Sequence, residues 1–204
     1  MPRGAPFPWL KPAVLLGGLV PVATLVVRGL RGELGADPIA QALNQLGLVA
    51  LVFLVAALAC TPLKTIAGVT WPLRIRRMLG LFAFFYATLH VTTYLALDQG
   101  LDWRAIFDDL TKRRFIYVGA TTFLLLVPLA VTSTNGWVRR LGFPAWKRLH
   151  RLAYVATILA VVHFTWRVKK DLSEPLAYGA VLASLLLVRI VGAVFTVEGR
   201  RRPS

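Results

Sequence analysis

The chain has 204 residues, 57% of them hydrophobic and 16% charged, with a formal net charge of +15 and a mean hydropathy of +0.65. An apolar share above the roughly one half of ordinary soluble domains excludes a water-soluble globule. The basic residues cluster between apolar runs, so the positive charge reads as membrane topology and excludes nucleic acid as the partner.

Cutting the sequence at its charges predicts an all-α membrane protein of six transmembrane helices. They lie at about 12–30, 40–63, 78–97, 115–134, 149–167 and 175–197, in one domain over 1–204. Most of the runs approach the roughly 20 residues that cross a bilayer core. The first contains Pro21, lacks an Ala-x-Ala site and runs into Arg28 and Arg31, the pattern of a retained helix and not of a cleaved signal. The second is free of charge and carries Cys60, the single cysteine, which excludes an internal disulfide.

The third run holds His90. It is followed by DWRAIFDDLTKRRF, residues 102–115, where Trp103, Ile106, Phe107 and Leu110 recur at helical spacing while Asp102, Asp108 and Asp109 point elsewhere. This predicts a short amphipathic helix on the membrane surface, either a lipid-anchored connector or a docking platform built on Trp103, Asp108 and Asp109. The fifth run is short, with His150, Arg151 and Arg167 flanking it and lending their apolar stems. The sixth carries Arg189 in mid-membrane, where a charge marks a functional position by default.

Placing the N-terminus in the cytoplasm puts Arg3, Lys11, Lys64, Arg74, Arg76, Arg77, Arg139, Arg140, Lys147, Arg148, Arg151 and Arg200 to Arg202 inside, with Glu198 as the accompanying acid. The outer segments are nearly balanced in charge. The positive-inside rule therefore predicts N-in, C-in topology. Trp9, Trp71, Trp103, Trp137, Trp146 and Trp166 all fall at run boundaries, as an interfacial aromatic belt does. No P-loop or dinucleotide fingerprint is present, and only EGRRRPS follows the sixth run, so any redox or transport partner is expected to be a separate protein.

His90 lies twelve residues past Met78 and His163 twelve past Arg151, on helices running the same way. At 1.5 Å per residue both imidazoles sit roughly 18 Å from the inner boundary. His150 belongs to another layer, and its spacing of thirteen residues from His163 rotates it about 140° around an ideal helix. Three readings compete for such imidazoles: hydrogen-bonded packing residues, ligands of a zinc or proton pathway, and axial ligands of a haem iron. The predicted spans contain no Asp or Glu, which a transport pathway normally adds. Phe82, Phe84, Phe85, Tyr86, Tyr94, Tyr154 and Phe164 supply aromatic surroundings, and Arg189 is a candidate for a propionate or a neighbouring carbonyl.

Three stretches, RRMLGLFAFFYATLH at 76–90, VTSTNGW at 131–137 and WKRLHRLAYVATILAVVHF at 146–164, resemble the haem-binding membrane subunits of bacterial protein-methionine-sulfoxide reductase systems. That group belongs to the ferric-reductase-like transmembrane superfamily, with the NADPH oxidases. The resemblance covers essentially the whole chain. It implies a b-type cytochrome of the bacterial inner membrane that passes electrons from quinone or a cytosolic flavin reductase, with FMN, to a periplasmic molybdopterin methionine sulfoxide reductase catalytic subunit that repairs oxidised proteins. By position, His90 and His163 match the outer haem pair and His150 an inner ligand. The NADPH oxidase pattern has a further histidine where this chain has Arg76. Arginine stays protonated and is rarely a ligand, so Arg76 and Arg77 suit a propionate or a flavin phosphate. The expectation is one bis-histidine haem b at His90 and His163, with an inner site at His150 that is either a second, asymmetrically ligated haem or a flavin contact. A ferric-reductase or superoxide-producing haem component, and a solute or metal-ion transporter, are the alternatives.

Overall fold

The computed structural model describes residues 7–168 and 170–201, with side chains as far as 192. Arg3 and Arg202 of the charge pattern, and the side chains of Glu198, Arg200 and Arg201, lie outside the described residues. Helices α1 (Leu10–Leu30), α2 (Pro38–Ala67) and α3 (Pro72–Thr93) come first, and a π-helical turn at Tyr94–Asp98 extends α3. They are followed by α4 (Trp103–Lys112), α5 (Arg114–Val131), α6 (Asn135–Leu141), α7 (Phe143–Leu149), α8 (Leu152–Arg167) and α9 (Ser173–Arg201). Among the described residues, six segments are long and apolar enough to cross a membrane, as the hydropathy pattern predicts.

Local signals set the boundaries. Asp37 caps α2 by accepting from Ala40 N–H at 2.9 Å, and Pro38 opens the helix with its φ already preset. Gly68, at φ +66°, closes it in the left-handed region and donates its N–H to Lys64 O. α3 starts at Pro72, earlier than its apolar run, because Pro72 seeds the helix and the buried Ile75 anchors the basic turn Arg74 to Arg77. Asp102 caps α4 through the N–H groups of Arg104 and Ala105. Gly142, at φ +74°, separates α6 from α7, and the chain turns again at His150 and Arg151 before α8. The fifth span is therefore two helices in succession.

α2 packs along α3, and α5 packs along α8. The two antiparallel pairs meet at a junction of Leu54, Ala83, Leu126 and Ala156, where Ala83 and Ala156 are fully buried and the small side chains let four backbones converge. α9 lies against α2 and α8, and α1 against α2 and α3. Large apolar side chains such as Leu16, Leu124 and Leu187 face outward, the arrangement expected of a bundle solvated by lipid.

A polar device at Pro21 adds to the apolar packing that attaches α1. Pro21 has no N–H and disturbs the preceding helical turn. The hydroxyl of Tyr86, a fully buried residue of α3, donates to Gly18 O at 2.7 Å and accepts from Val22 N–H at 3.1 Å. Those two backbone groups would bond to each other in an uninterrupted helix. Gly18 has no side chain because the Phe82 ring occupies the place a Cβ would take. Replacing Tyr86 by Phe leaves both backbone groups unpaired away from water. That is expected to cost about 1–3 kcal/mol and to lower the unfolding temperature in detergent, which a thermal melt of the purified variant measures.

Candidate functional site

The structure brings His90 and His163 together. Their ring centroids are 6.2 Å apart and their planes are crossed at 86°. His90 donates from Nδ1 to the Leu43 carbonyl of α2 at 2.9 Å, and His163 donates from Nδ1 to the Phe115 carbonyl of α5 at 2.6 Å. A carbonyl only accepts, so the proton of each neutral imidazole resides on Nδ1 and each Nε2 keeps its lone pair. Metal-bound histidines are held in the same way, with the ring N–H that faces away from the metal donated to a carbonyl or carboxylate.

Two glycines make the approach possible. A Cβ at Gly47 would stand 3.2 Å from Nδ1 and Cε1 of His90, and one at Gly119 would stand 2.8 Å from Nδ1 and Cε1 of His163. Each glycine lies four residues after the carbonyl that holds the ring. Each imidazole edge thus rests in a notch of the neighbouring helix.

The separation fits one iron held from both faces. Two metal–imidazole bonds of about 2.0–2.1 Å, plus roughly 1 Å from each Nε2 to its ring centre, span about 6 Å. The observed centroid distance of 6.2 Å matches that span. No group of three His, Cys, Asp or Glu side chains that could hold a metal ion occurs among the described residues.

A cavity of about 420 Å³ opens between α2, α8 and α9, lined by Gln41, Asn44, Gln45, Arg167 and Glu174 among others. Arg167 follows His163 by one turn of α8, and Asn44 adjoins Leu43, whose carbonyl holds His90. The cavity therefore offers amide and guanidinium donors beside the imidazole pair.

His150 caps α7 and lies in a different layer. Its ring stacks on Trp146 at a centroid distance of 3.9 Å, its Nδ1 engages Trp146 O at 3.1 Å, and its Nε2 is buried without a hydrogen-bond partner. Arg189 reaches from α9 across to α8 and α2. It donates to the Tyr154 hydroxyl and, at 2.6 Å, to Leu58 O, while its Nε is buried without a partner. Arg76 faces Thr61 at 3.5 Å, and Arg77 donates to Asn135 at 2.8 Å. The protein already engages part of each of these groups.

On α4, Trp103 and Phe107 are exposed and Ile106 is buried. Asp108 pairs with Lys112 on the surface. Asp109 turns inward, accepting from the Tyr94 hydroxyl at 3.1 Å and pairing with Arg113 at 3.2 Å, so it ties α4 to the π turn that follows His90. Of the sequence candidates for docking, Trp103 and Asp108 present themselves outward.

Sequence reasoning missed Gly47, Gly119, Arg167 and the amides of the cavity. For Arg167 the signal was its place one turn after His163. The glycines carried only a faint one, a missing side chain within a bulky apolar run.

The sequence matches the family described as ferric reductase like transmembrane component over residues 22–161. It is 51% identical to the Rhodospirillum rubrum protein named "Protein-methionine-sulfoxide reductase heme-binding subunit MsrQ", over 94% of this chain and 92% of that one. Proteins of the same name from Deinococcus radiodurans and Caulobacter vibrioides are 49% and 46% identical, over 92% and 94% of this chain and 93% and 88% of theirs. With the family match covering α2, α3, α5 and the first ten residues of α8, more than half of the chain, the chain belongs to the ferric reductase like transmembrane component family.

Proposed function

We propose that this chain is a b-type cytochrome of the bacterial inner membrane and the haem-binding subunit of a methionine sulfoxide reductase system. It takes electrons from the quinone pool or a cytosolic flavin reductase and delivers them to a periplasmic molybdopterin catalytic subunit. The observation that carries this reading is the pair His90 and His163, at iron-spanning separation with both Nε2 lone pairs free. The names of the relatives support it.

A haem b held there supplies one-electron transfer. The chain's own part would be to hold that group through the His90 and His163 imidazoles and to leave it no open coordination position for oxygen. Arg167, with Gln41, Asn44 and Gln45, offers charge-assisted and neutral donors for propionates.

The inner site is read as His150 with Arg76, Arg77 and Arg189 around a second haem or an FMN. Its support is the buried, unpartnered nitrogens of His150 and Arg189. N-in, C-in topology follows from the charge pattern and places α4 on the periplasmic face. There Trp103 and Asp108 meet the catalytic subunit, and Asp109 steadies the platform.

Purified protein is expected to show a reduced b-type absorption spectrum. His90→Ala and His163→Ala should each remove that haem or change its ligation, as haem quantification per chain measures. A colourless wild-type protein, or a His90→Ala/His163→Ala double variant that stays red and fully reducible, contradicts the reading. His150→Ala should retain the His90–His163 haem while losing a second haem or altering flavin reduction. If neither changes, the inner site is wrong. Trp103→Ala with Asp108→Lys is expected to slow electron delivery to the catalytic subunit severalfold at unchanged haem content, read by stopped-flow reoxidation.

A further inference from the structure

The two imidazoles are held by the same device, repeated on the two helix pairs. In α2 the carbonyl of Leu43 takes the Nδ1 proton of His90, and Gly47 leaves the notch into which the ring edge fits. In α5 the carbonyl of Phe115 takes the Nδ1 proton of His163, and Gly119 leaves the matching notch. The histidines come from α3 and α8, the partner helices of those pairs.

Such a clamp fixes more than the tautomer. An imidazole bound to a metal only through Nε2 turns about that bond with little resistance. One whose Nδ1–H is also tied to a rigid helical carbonyl cannot turn without losing a buried hydrogen bond, and a chain in hydrocarbon has no water to replace it. The ring edge is confined sterically as well, since it lies close to the backbone at each glycine. The direction of each plane is therefore set by α2 and α5. The two directions differ by 86°.

We infer that Gly47 and Gly119, with the carbonyls of Leu43 and Phe115, are positioning elements that hold the two iron-binding imidazoles with crossed planes and so set the electronic structure of the bound haem. This rests on the haem reading above and goes beyond it. Ligand identity says that the iron is low-spin. The crossed planes say which kind of low-spin centre it is. Each imidazole acts as a π donor perpendicular to its own plane. Parallel planes raise one of the two iron orbitals that point along the porphyrin axes, whereas crossed planes raise both alike and leave them nearly degenerate. A ferric centre with that near-degeneracy gives a strongly anisotropic electron paramagnetic resonance signal with a large principal g value, in place of the ordinary rhombic spectrum of parallel imidazoles. The Nδ1 hydrogen bonds add electron density to both ligands and favour the ferric state.

The notches are unequal, and this makes the inference specific. A methyl at 119 would meet its imidazole at 2.8 Å and one at 47 at 3.2 Å, so Gly119→Ala must displace its ring further than Gly47→Ala. Alanine favours helix over glycine, so a change in either variant would not reflect loss of the helix itself.

The experiment is electron paramagnetic resonance of the oxidised, haem-loaded wild-type protein in detergent, with potentiometric titration of the same sample and of both variants. The expected result is a large-g, highly anisotropic low-spin signal in the wild type. Gly119→Ala should convert it toward a rhombic or high-spin signal and shift the midpoint potential, and Gly47→Ala should do the same to a smaller extent. A rhombic wild-type signal overturns the inference, even if neither variant assembles. Two well-folded, haem-loaded variants with unchanged signal and potential overturn it as well. Failure of the haem reading has a different signature: no low-spin haem in the wild type, or haem retained by a chain lacking both His90 and His163.

Discussion

A neutral imidazole buried in a helix bundle must spend its N–H on something, and in this bundle both His90 and His163 spend it on a backbone carbonyl of the adjacent helix. His90 binds α2 at Leu43, and His163 binds α5 at Phe115. Because the Nδ1 protons are committed outward, the two Nε2 atoms are left as lone-pair donors at the centre of the bundle. The helix pairing follows the same logic. α3 must lie against α2 and α8 against α5 closely enough for these bonds to form, and the glycines at 47 and 119 allow that closeness. The small residues Ala83 and Ala156 then let the two pairs converge.

The layout of the bundle was largely legible in the sequence, because a bilayer allows few solutions. Apolar runs bounded by charge and tryptophan translate almost directly into spanning helices, since every backbone polar group must be satisfied within its own segment. Arithmetic on helical rise also gave reason to expect His90 and His163 near one another, and their ring centroids are 6.2 Å apart. The helix ends were harder. Pro72 starts α3 within a basic stretch, and the chain breaks at His150 and Arg151, so the thirteen-residue spacing from His150 to His163 is not carried by one straight helix. Hydropathy is blind to such breaks because the residues on either side remain apolar or amphipathic.

What the sequence could not show is which groups share a partner. Nothing in the spacing links Leu43 to His90 or Phe115 to His163, because the contacts lie across helices and use backbone atoms. Arg189 illustrates the same limit. Its mid-membrane position marks it as important, but only the fold reveals that the Tyr154 hydroxyl and the Leu58 carbonyl take two of its donors and join α9 to α8 and α2. Asp109 had the character of a surface acid by sequence, yet it is drawn inward by Tyr94 and Arg113. A polar residue in a membrane bundle is thus informative by its presence and ambiguous in its role until its partner is seen.

An iron held between the third and fifth spans is the central claim, so the most direct test is to locate that metal. An anomalous difference map collected at the iron absorption edge from crystals of the haem-loaded protein reports its position without assuming the ligands. The predicted result is a peak midway between Nε2 of His90 and Nε2 of His163. A map whose only peak lies elsewhere, for instance beside His150, contradicts the account.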